Sequence, residues 1–460
     1  MSLIKSISGF RGTIGGKPND NLTPIDIVKF ASAYGTWLKS KSAGPKKVVV
    51  GRDGRMSGEM VEALVEQSLL ALGIDVIHLG LSTTPTVEMA VVFEGADGGI
   101  ILTASHNPKE WNALKLLNEK GEFVSGEEGK VILTLAANED FNYASVDNMG
   151  KIIANETSLE KHIKAIVEYP LVDIAAIKAA NFSVVVDAIN SSGAFTVPAL
   201  LNAIGVNNIK VLNSAMTGNF AHNPEPLKEH LTELCTTVVN ERAHLGIAVD
   251  PDVDRLCFVS EDGELFGEEY TLVAVADYIL QNNNGATVSN LSSTRALRDV
   301  TEKYGCQYFA SAVGEVNVVT MMKNQQAVIG GEGNGGIIVP DLHYGRDALI
   351  GIALFLTHLA KSNMSTSALR ASYPAYFMSK KKMDLDGNIS LDKIFATLES
   401  KFGQFAINKV DGFKIDFDNK WVHLRSSNTE PIIRIYTEAP SQVEADQLAD
   451  EIIAIIGTIK

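Results

Sequence analysis

A three-fold echo constrains this chain more than any other feature of its sequence. The segments "VVVGRDGRMSGEMVEALVEQSLLALG" and "VVVDAINSSGAFTVPALLNAIG", and more faintly "ATVSNLSSTRALRDVTEKYG", share one order: an aliphatic strand, a small polar loop, a helix and a closing Gly. Between the echoes the same alternation continues. Lys46–Asp53 reads as a strand, Glu59–Leu72 as a helix and Asp75–Gly80 as a strand, followed by a helix from Pro85 and a strand running into Ser105. Such alternation predicts parallel α/β layers, here in three related units. Thr23-Pro24 with Asp26 marks an earlier helix start, since Thr caps and Pro suits the first turn. After about residue 370 the texture changes. "GFKIDF", "KWVHLRSS" and "IIRIYTEA" read as antiparallel strands, and "SQVEADQLADEIIAIIGTI" as a closing helix, which together predict an α+β domain. At 460 residues the chain exceeds one core. The shifts in texture divide it into 1–150, 151–256, 257–368 and 369–460.

Composition excludes several classes of function. A net charge of −15 argues against a general nucleic-acid or anionic-membrane surface, so an anionic ligand would be captured by local Arg and Lys clusters. Cys235, Cys257 and Cys306 have no disulfide spacing, and the start lacks a signal-peptide apolar region. The longest apolar run, near Ala348–Ala360, contains His358 and is too short to span a bilayer. These features predict a cytoplasmic enzyme or binding protein.

Four stretches carry chemistry. In "ILTASHNP" a strand stops at Ser105 and His106 and is locked by Pro108, which is either a polar turn or a functional strand mouth. "VDPDVDR" places Asp250, Asp252 and Asp254 between two apolar stretches, followed by Arg255. Close carboxylates repel, and a divalent cation relieves them; oxygen ligands suit Mg²⁺ or Ca²⁺ better than zinc. An EF-hand is disfavoured because Arg255 stands where that loop needs Gly, whereas a D-x-D nucleophile and a solvated acidic turn are rivals. "GGEGNGG", Gly330–Gly336, is either a flexible turn or a close approach to a ligand beside Glu332. "RSSNTEPIIR" offers Arg425, Ser427, Asn428, Thr429 and Arg434 to a phosphate, with a capped strand turn as the alternative.

Taken in order, "TASHNP", "DPDVDR", "GEGNGG" and "RSSNTEP" resemble the phosphoserine, metal, sugar and phosphate loops of the α-D-phosphohexomutase family. The resemblance covers the whole length. It implies four domains around a central cleft, three α/β and one α+β, and transfer of phosphate between the 1- and 6-positions of a hexose. By the same resemblance Ser105 carries the transferable phosphate, His106 supports it, Lys115 is the acid/base, and Arg11 in "GFRG" and Arg255 complete the catalytic set. Mg²⁺ is implied on Asp250, Asp252, Asp254 and phospho-Ser105, with a hexose 1,6-bisphosphate as intermediate and activator. Glu332 and Asn334 then hold sugar hydroxyls, and Arg425, Ser427, Asn428, Thr429 and Arg434 hold the phosphate that is not reacting. The implied partner is a small sugar phosphate, bound by a monomer or homodimer. The chain departs from the family at Asn334, usually Ser, at Gly336, often His, and in "SISGFRG", which lacks a common acidic residue. "GEGNGG" is most similar to the sugar loops of phosphoglucosamine mutases, so glucosamine phosphate is the expected substrate ahead of mannose and glucose phosphates. A metal-dependent phosphatase and a non-catalytic sugar-phosphate binder are the rival functions.

Overall fold

The strand Lys46–Arg52 alternates its valines between two faces, and the first sheet is built on that alternation. Val48 and Val50 face a core with Phe10, Phe30, Trp37 and Leu69, whereas Val49 faces Ile77, Val87, Ile101 and Leu117. Helices Pro24–Lys41 and Gly58–Ala71 contribute to the first layer, and Thr84–Phe93 to the second. This computed structural model describes residues 2–6, 9–384, 390–426 and 432–459.

The first sheet runs in the spatial order Ile4–Ser6, Gly9–Thr13, Trp111–Leu117, Gly98–Leu102, Lys46–Arg52, Ile74–Leu81, Ile152–Ala154. From Gly98–Leu102 onward it is parallel, and the strands before it pair antiparallel. Helix Pro24–Lys41 starts as its sequence predicts, with Thr23 and Asp26 closing a capping box.

Two compact units divide the chain: Met1–Tyr278 with Asn334–Leu369, and Ile279–Gly333 with Arg370–Lys460. Besides the first sheet, the first unit holds a sheet ordered Leu256–Ser260, Leu245–Val249, Ser183–Asp187, Asn208–Leu212. Its last three strands are parallel, and Leu245–Val249 turns back antiparallel into Leu256–Ser260. The return segment brings helix Ala348–Ser362 onto this sheet, where Phe355 stacks on Phe258 at 3.8 Å between centroids. The second unit contains parallel strands Thr287–Asn290, Tyr308–Ser311 and Ile329–Glu332 with helices Ala296–Lys303 and Glu315–Gln325. It also contains an antiparallel sheet ordered Phe377–Asp384, Ile432–Ala439, Trp421–Ser426, Phe413–Asp416, Ala406–Asn408. Helices Leu391–Phe402 and Gln442–Gly457 cover that sheet through Ile394, Leu398, Leu448 and Ile452. Three related α/β segments and a C-terminal α+β segment are therefore what the chain folds into.

Candidate active site

The strand Gly98–Leu102 ends three residues before Ser105, whose φ of 50° lies in the left-handed region. A non-glycine residue there needs support, and Arg55 supplies it. From its buried guanidinium, Arg55 donates to the carbonyls of Ser105 at 2.5 Å, Asn107 at 2.7 Å, Pro108 at 2.7 Å and Trp111 at 2.8 Å. Its Nε lies 3.1 Å from Asp53 Oδ2, and neither side chain of this pair reaches solvent. Asp53 also accepts from Thr103 Oγ1 at 2.6 Å, and Thr103 Oγ1 in turn accepts the Ser105 amide at 2.9 Å.

Held in this way, Ser105 Oγ donates to Asp250 Oδ2 at 2.7 Å, with His106 Nδ1 at 3.4 Å from the same hydroxyl. Asp250 opens the turn between Leu245–Val249 and Leu256–Ser260, and its Oδ1 accepts the amides of Asp254 and Arg255, each at 3.1 Å. Val253, at φ 61°, completes that tight turn. Asp250, Asp252 and Asp254 are all buried, and one ligand oxygen from each lies within 4.8 Å of the others. Asp252 Oδ2 accepts from Thr84 Oγ1 at 2.6 Å and Lys115 Nζ at 2.7 Å. Asp254 Oδ2 accepts from Arg346 Nη2 at 2.7 Å and lies 3.4 Å from Lys115 Nζ.

Oδ1 of Asp252 and Oδ1 of Asp254 are buried and have no hydrogen-bond partner. Burial, together with the two neighbouring carboxylates, pushes the Asp250 carboxyl well up. Burial opposes ionisation of Asp252 too, but Lys115 and Thr84 outweigh it and hold that carboxyl below the usual range. Two orphaned oxygens in a dry three-carboxylate loop fit a hard divalent cation, because a cation removes both the repulsion and the unmet bonds.

Cations surround the loop. Burial lowers Lys115, yet Asp252 and Asp254 dominate and raise it, so its amine stays charged. Burial, with Arg255 and Arg346 nearby, brings His106 down to about 2 and keeps its ring neutral. Arg255 Nε sits 4.0 Å from Asp250 Oδ2, and Arg11 Nη1 donates to Asn107 Oδ1 at 3.1 Å. Ser105, His106, Lys115, Arg11, Arg255 and the three Asp residues thus gather in one place. Asn334 lies in the same unit, where its Oδ1 accepts the Gly336 amide at 3.2 Å.

The remaining predicted residues belong to the second unit. Glu332 ends its strand buried, and its Oε1 accepts from Asn290 Nδ2 at 2.9 Å and the Gly314 amide at 3.2 Å. Arg425 and Arg434 are directly paired across two antiparallel strands, so they project from one face. Arg425 Nε lies 2.8 Å from Asp411 Oδ2, which also accepts the Val313 amide at 2.9 Å. Ser427, Asn428 and Thr429 lie outside the described residues.

Three working residues escape a reading of the sequence: Arg55, Thr84 and Arg346. The sequence does hold a signal for each. Arg55 closes the first "GRDGR" loop, Thr84 opens a helix just before Pro85, and Arg346 precedes Asp347, which caps helix Ala348–Ser362. Gly336 accounts for one departure from the family. A Cβ there would stand 2.3 Å from Arg346 Cδ, so its absence makes room for the stem that carries the guanidinium to Asp254.

Behind the loop, Asp347 Oδ1 caps the helix while its Oδ2 meets His162 Nε2 at 2.9 Å and His343 Nε2 at 3.2 Å. His343 Nδ1 lies 3.4 Å from Glu88 Oε2. Burial lowers His343, but Asp347 and Glu88 prevail and raise it to about 10.

Comparison with known proteins covers the chain from end to end. Profiles for phosphoglucomutase/phosphomannomutase alpha/beta/alpha domains I, II and III match residues 4–143, 160–263 and 267–376, and that for the C-terminal domain matches 387–455. A Thermococcus kodakarensis phosphoglucomutase/phosphomannomutase is 37% identical over 94% of this chain and 95% of its own. A probable phosphoglucosamine mutase of Methanopyrus kandleri is 33% identical over 98% of this chain and 96% of its own. Among solved structures, a phosphoglucomutase/phosphomannomutase family protein of Burkholderia thailandensis shares the fold, with a TM-score of 0.83 at 24% identity over 98% of this chain and 96% of that one.

Proposed function

The chain belongs to the phosphoglucomutase/phosphomannomutase family, and we propose that it interconverts hexose 1-phosphates and hexose 6-phosphates, with glucosamine phosphate preferred. The observation that carries this reading is the 2.7 Å hydrogen bond from Ser105 Oγ to Asp250, which sets a strained hydroxyl against the carboxylate loop.

In this reading Ser105 is the phosphoryl carrier. The sugar 6-hydroxyl oxygen attacks the phosphorus, the bond from phosphorus to Ser105 Oγ breaks, and a 1,6-bisphosphate results. The intermediate then turns over, and its 1-phosphoryl group passes back to Ser105. Lys115, charged and 2.7 Å from Asp252, gives its proton to the departing serine oxygen and takes up the proton released by the attacking hydroxyl, so that it ends the step charged again. Neutral His106 orients the serine oxygen, and Arg11 and Arg255 neutralise phosphate oxygens at the strand mouth. Mg²⁺, held by Asp250, Asp252, Asp254 and the phosphate of Ser105, would spread the charge of the transferring group. Glu332 and Asn334 bind sugar hydroxyls, while Arg425 and Arg434 with Ser427, Asn428 and Thr429 grip the distal phosphate. A hydrolase has no need of that second grip, which argues against a phosphatase. We assign these roles to segments 1–150, 151–256, 257–368 and 369–460, carrying the phosphoserine, metal, sugar and phosphate loops respectively.

Phosphomannomutase/phosphoglucomutase activity is the second reading, favoured by the name of the 37% identical relative. A panel of hexose 1-phosphates with Mg²⁺ and the matching bisphosphate activator decides between them. Glucosamine 1-phosphate should give the highest kcat/KM, by a margin of about 10- to 200-fold. A clear win for mannose 1-phosphate selects the second reading, and no turnover of any hexose phosphate overturns both.

A further inference from the structure

A second cluster of metal-ligand types bridges helix Gly58–Ala71 and strand Ile74–Leu81. Glu62 and Glu66 are one helical turn apart and share a face, and both are buried, at 6% and 5% exposure. His78 Nδ1, on the strand, lies 2.6 Å from Glu66 Oε1 and 3.7 Å from Glu62 Oε1. Ligand atoms of all three fall within 4.8 Å of one another.

Ordinary ion pairing explains part of this arrangement. Arg52 Nε takes Glu62 Oε2 at 2.9 Å, and His78 takes Glu66. Glu62 Oε1 is left over, buried, without a hydrogen-bond partner, and turned toward the same imidazole nitrogen. Burial drives the Glu62 carboxyl upward despite Arg52. Glu59, largely exposed, also approaches Arg52, at 3.4 Å, so Glu59 and Glu62 share one guanidinium while Glu66 meets only the imidazole. The His78 side chain is 35% exposed, which opens a path from solvent and leaves room for a water as fourth ligand.

We propose that Glu62, Glu66 and His78 form a binding site for a divalent transition-metal ion, with zinc as the best-suited candidate, distinct from the three-aspartate loop. An imidazole with two carboxylates suits zinc and its neighbours rather than Mg²⁺ or Ca²⁺. Bonds of about 2.0–2.2 Å require ligand atoms roughly 3.3 Å apart. The 2.6 Å contact opens to that value and the 3.7 Å one closes to it. The buried His162, His343 and Asp347 group differs, because Asp347 Oδ2 already meets both rings while Oδ1 caps a helix. Bound zinc fastens helix to strand, so its effect is on stability and not on turnover.

The test uses the full chain, stripped with chelator, desalted and loaded with zinc chloride. In Asp252→Asn, which weakens metal binding at the aspartate loop, one zinc per chain should be retained and should raise the melting temperature. Adding His78→Gln or Glu66→Gln should remove both the zinc and the shift, while single His78→Gln keeps wild-type Mg²⁺-supported activity. If His78→Gln does not fold, Glu66→Gln provides the same reading. Zinc retained equally in these variants, zinc absent from Asp252→Asn, or zinc lost only with His343→Gln would each overturn the proposal. Metal content is read without substrate, so the result stands apart from the assigned mutase activity.

Discussion

Replacing Arg55 by Met keeps the volume of the side chain and deletes the guanidinium donors that brace the Ser105 turn. The lost contacts are one buried ion pair, at 3.1 Å, and four carbonyl bonds of 2.5–2.8 Å. Removing one partner of a buried pair typically costs about 3–5 kcal/mol, since the other charge stays behind. Pro108 is exposed, so its carbonyl is compensated by water and adds little. A displacement of about 1 Å at Ser105 should lower kcat by about 10²-fold. Urea unfolding followed by circular dichroism reads the first quantity, and a coupled mutase assay reads the second. The double variant Asp53→Asn/Arg55→Met separates the two effects. It removes the stranded charge and should recover about 0.5–3 kcal/mol as coupling energy, but the carbonyls of Ser105 and Asn107 still lack their donor, so kcat should stay low. Wild-type kcat in Arg55→Met, or recovery of kcat in the double variant, would refute the argument.

Ser105→Ala should lose nearly all mutase activity with the fold intact; mass spectrometry should find a phosphopeptide containing Ser105 in active wild-type protein and none in the variant. Chelator should abolish activity and Mg²⁺ restore it, while Asp252→Asn should raise the Mg²⁺ concentration needed for half activity; indifference to chelator contradicts the metal loop. Arg425→Ala should raise KM by roughly 10- to 150-fold, from the about 1.5–3 kcal/mol of a charge-assisted bond, with kcat less affected. For His343 the folded value of about 10 lies above the ordinary 6.5, so its stabilisation is complete below 6.5 and lost as pH rises through about 10. Facing it are Glu88, Asp347 and the edge of His162. Melting temperature should therefore fall across that window, and His343→Gln should flatten the fall; parallel curves would contradict it.

The repeats were legible because each unit is local: strand, loop and helix lie within about two dozen residues, and the closing glycines Gly73, Gly205 and Gly305 do take positive φ of 77°, 93° and 68°. The carboxylate loop was legible for the same reason, being a single tight turn between apolar strands. The facing of Arg425 and Arg434 follows from the antiparallel register of their two strands. What stayed hidden acts at long range. Thr84 reaches Asp252 across 168 residues and Arg346 reaches Asp254 across 92. Arg55 speaks to main-chain carbonyls, which have no signature in sequence. The antiparallel edge Ile4–Ser6 and Gly9–Thr13 also gave no sign of joining the first sheet, because pairing partners are set by tertiary packing. The first compact unit also takes in Asn334–Leu369, which lies within the span matched by the third domain profile.

That returning segment means the protein cannot be cut at its repeat boundaries and stay whole. A fragment ending at residue 263, where the second domain profile stops, would leave the Leu256 amide without the Gly335 carbonyl it meets at 3.1 Å. It would also strip Asp254 of Arg346, and His162 of Asp347. Split at that point, the halves should be obligate complements: the aspartate loop of the first half lacks Arg346 until the second half is mixed back.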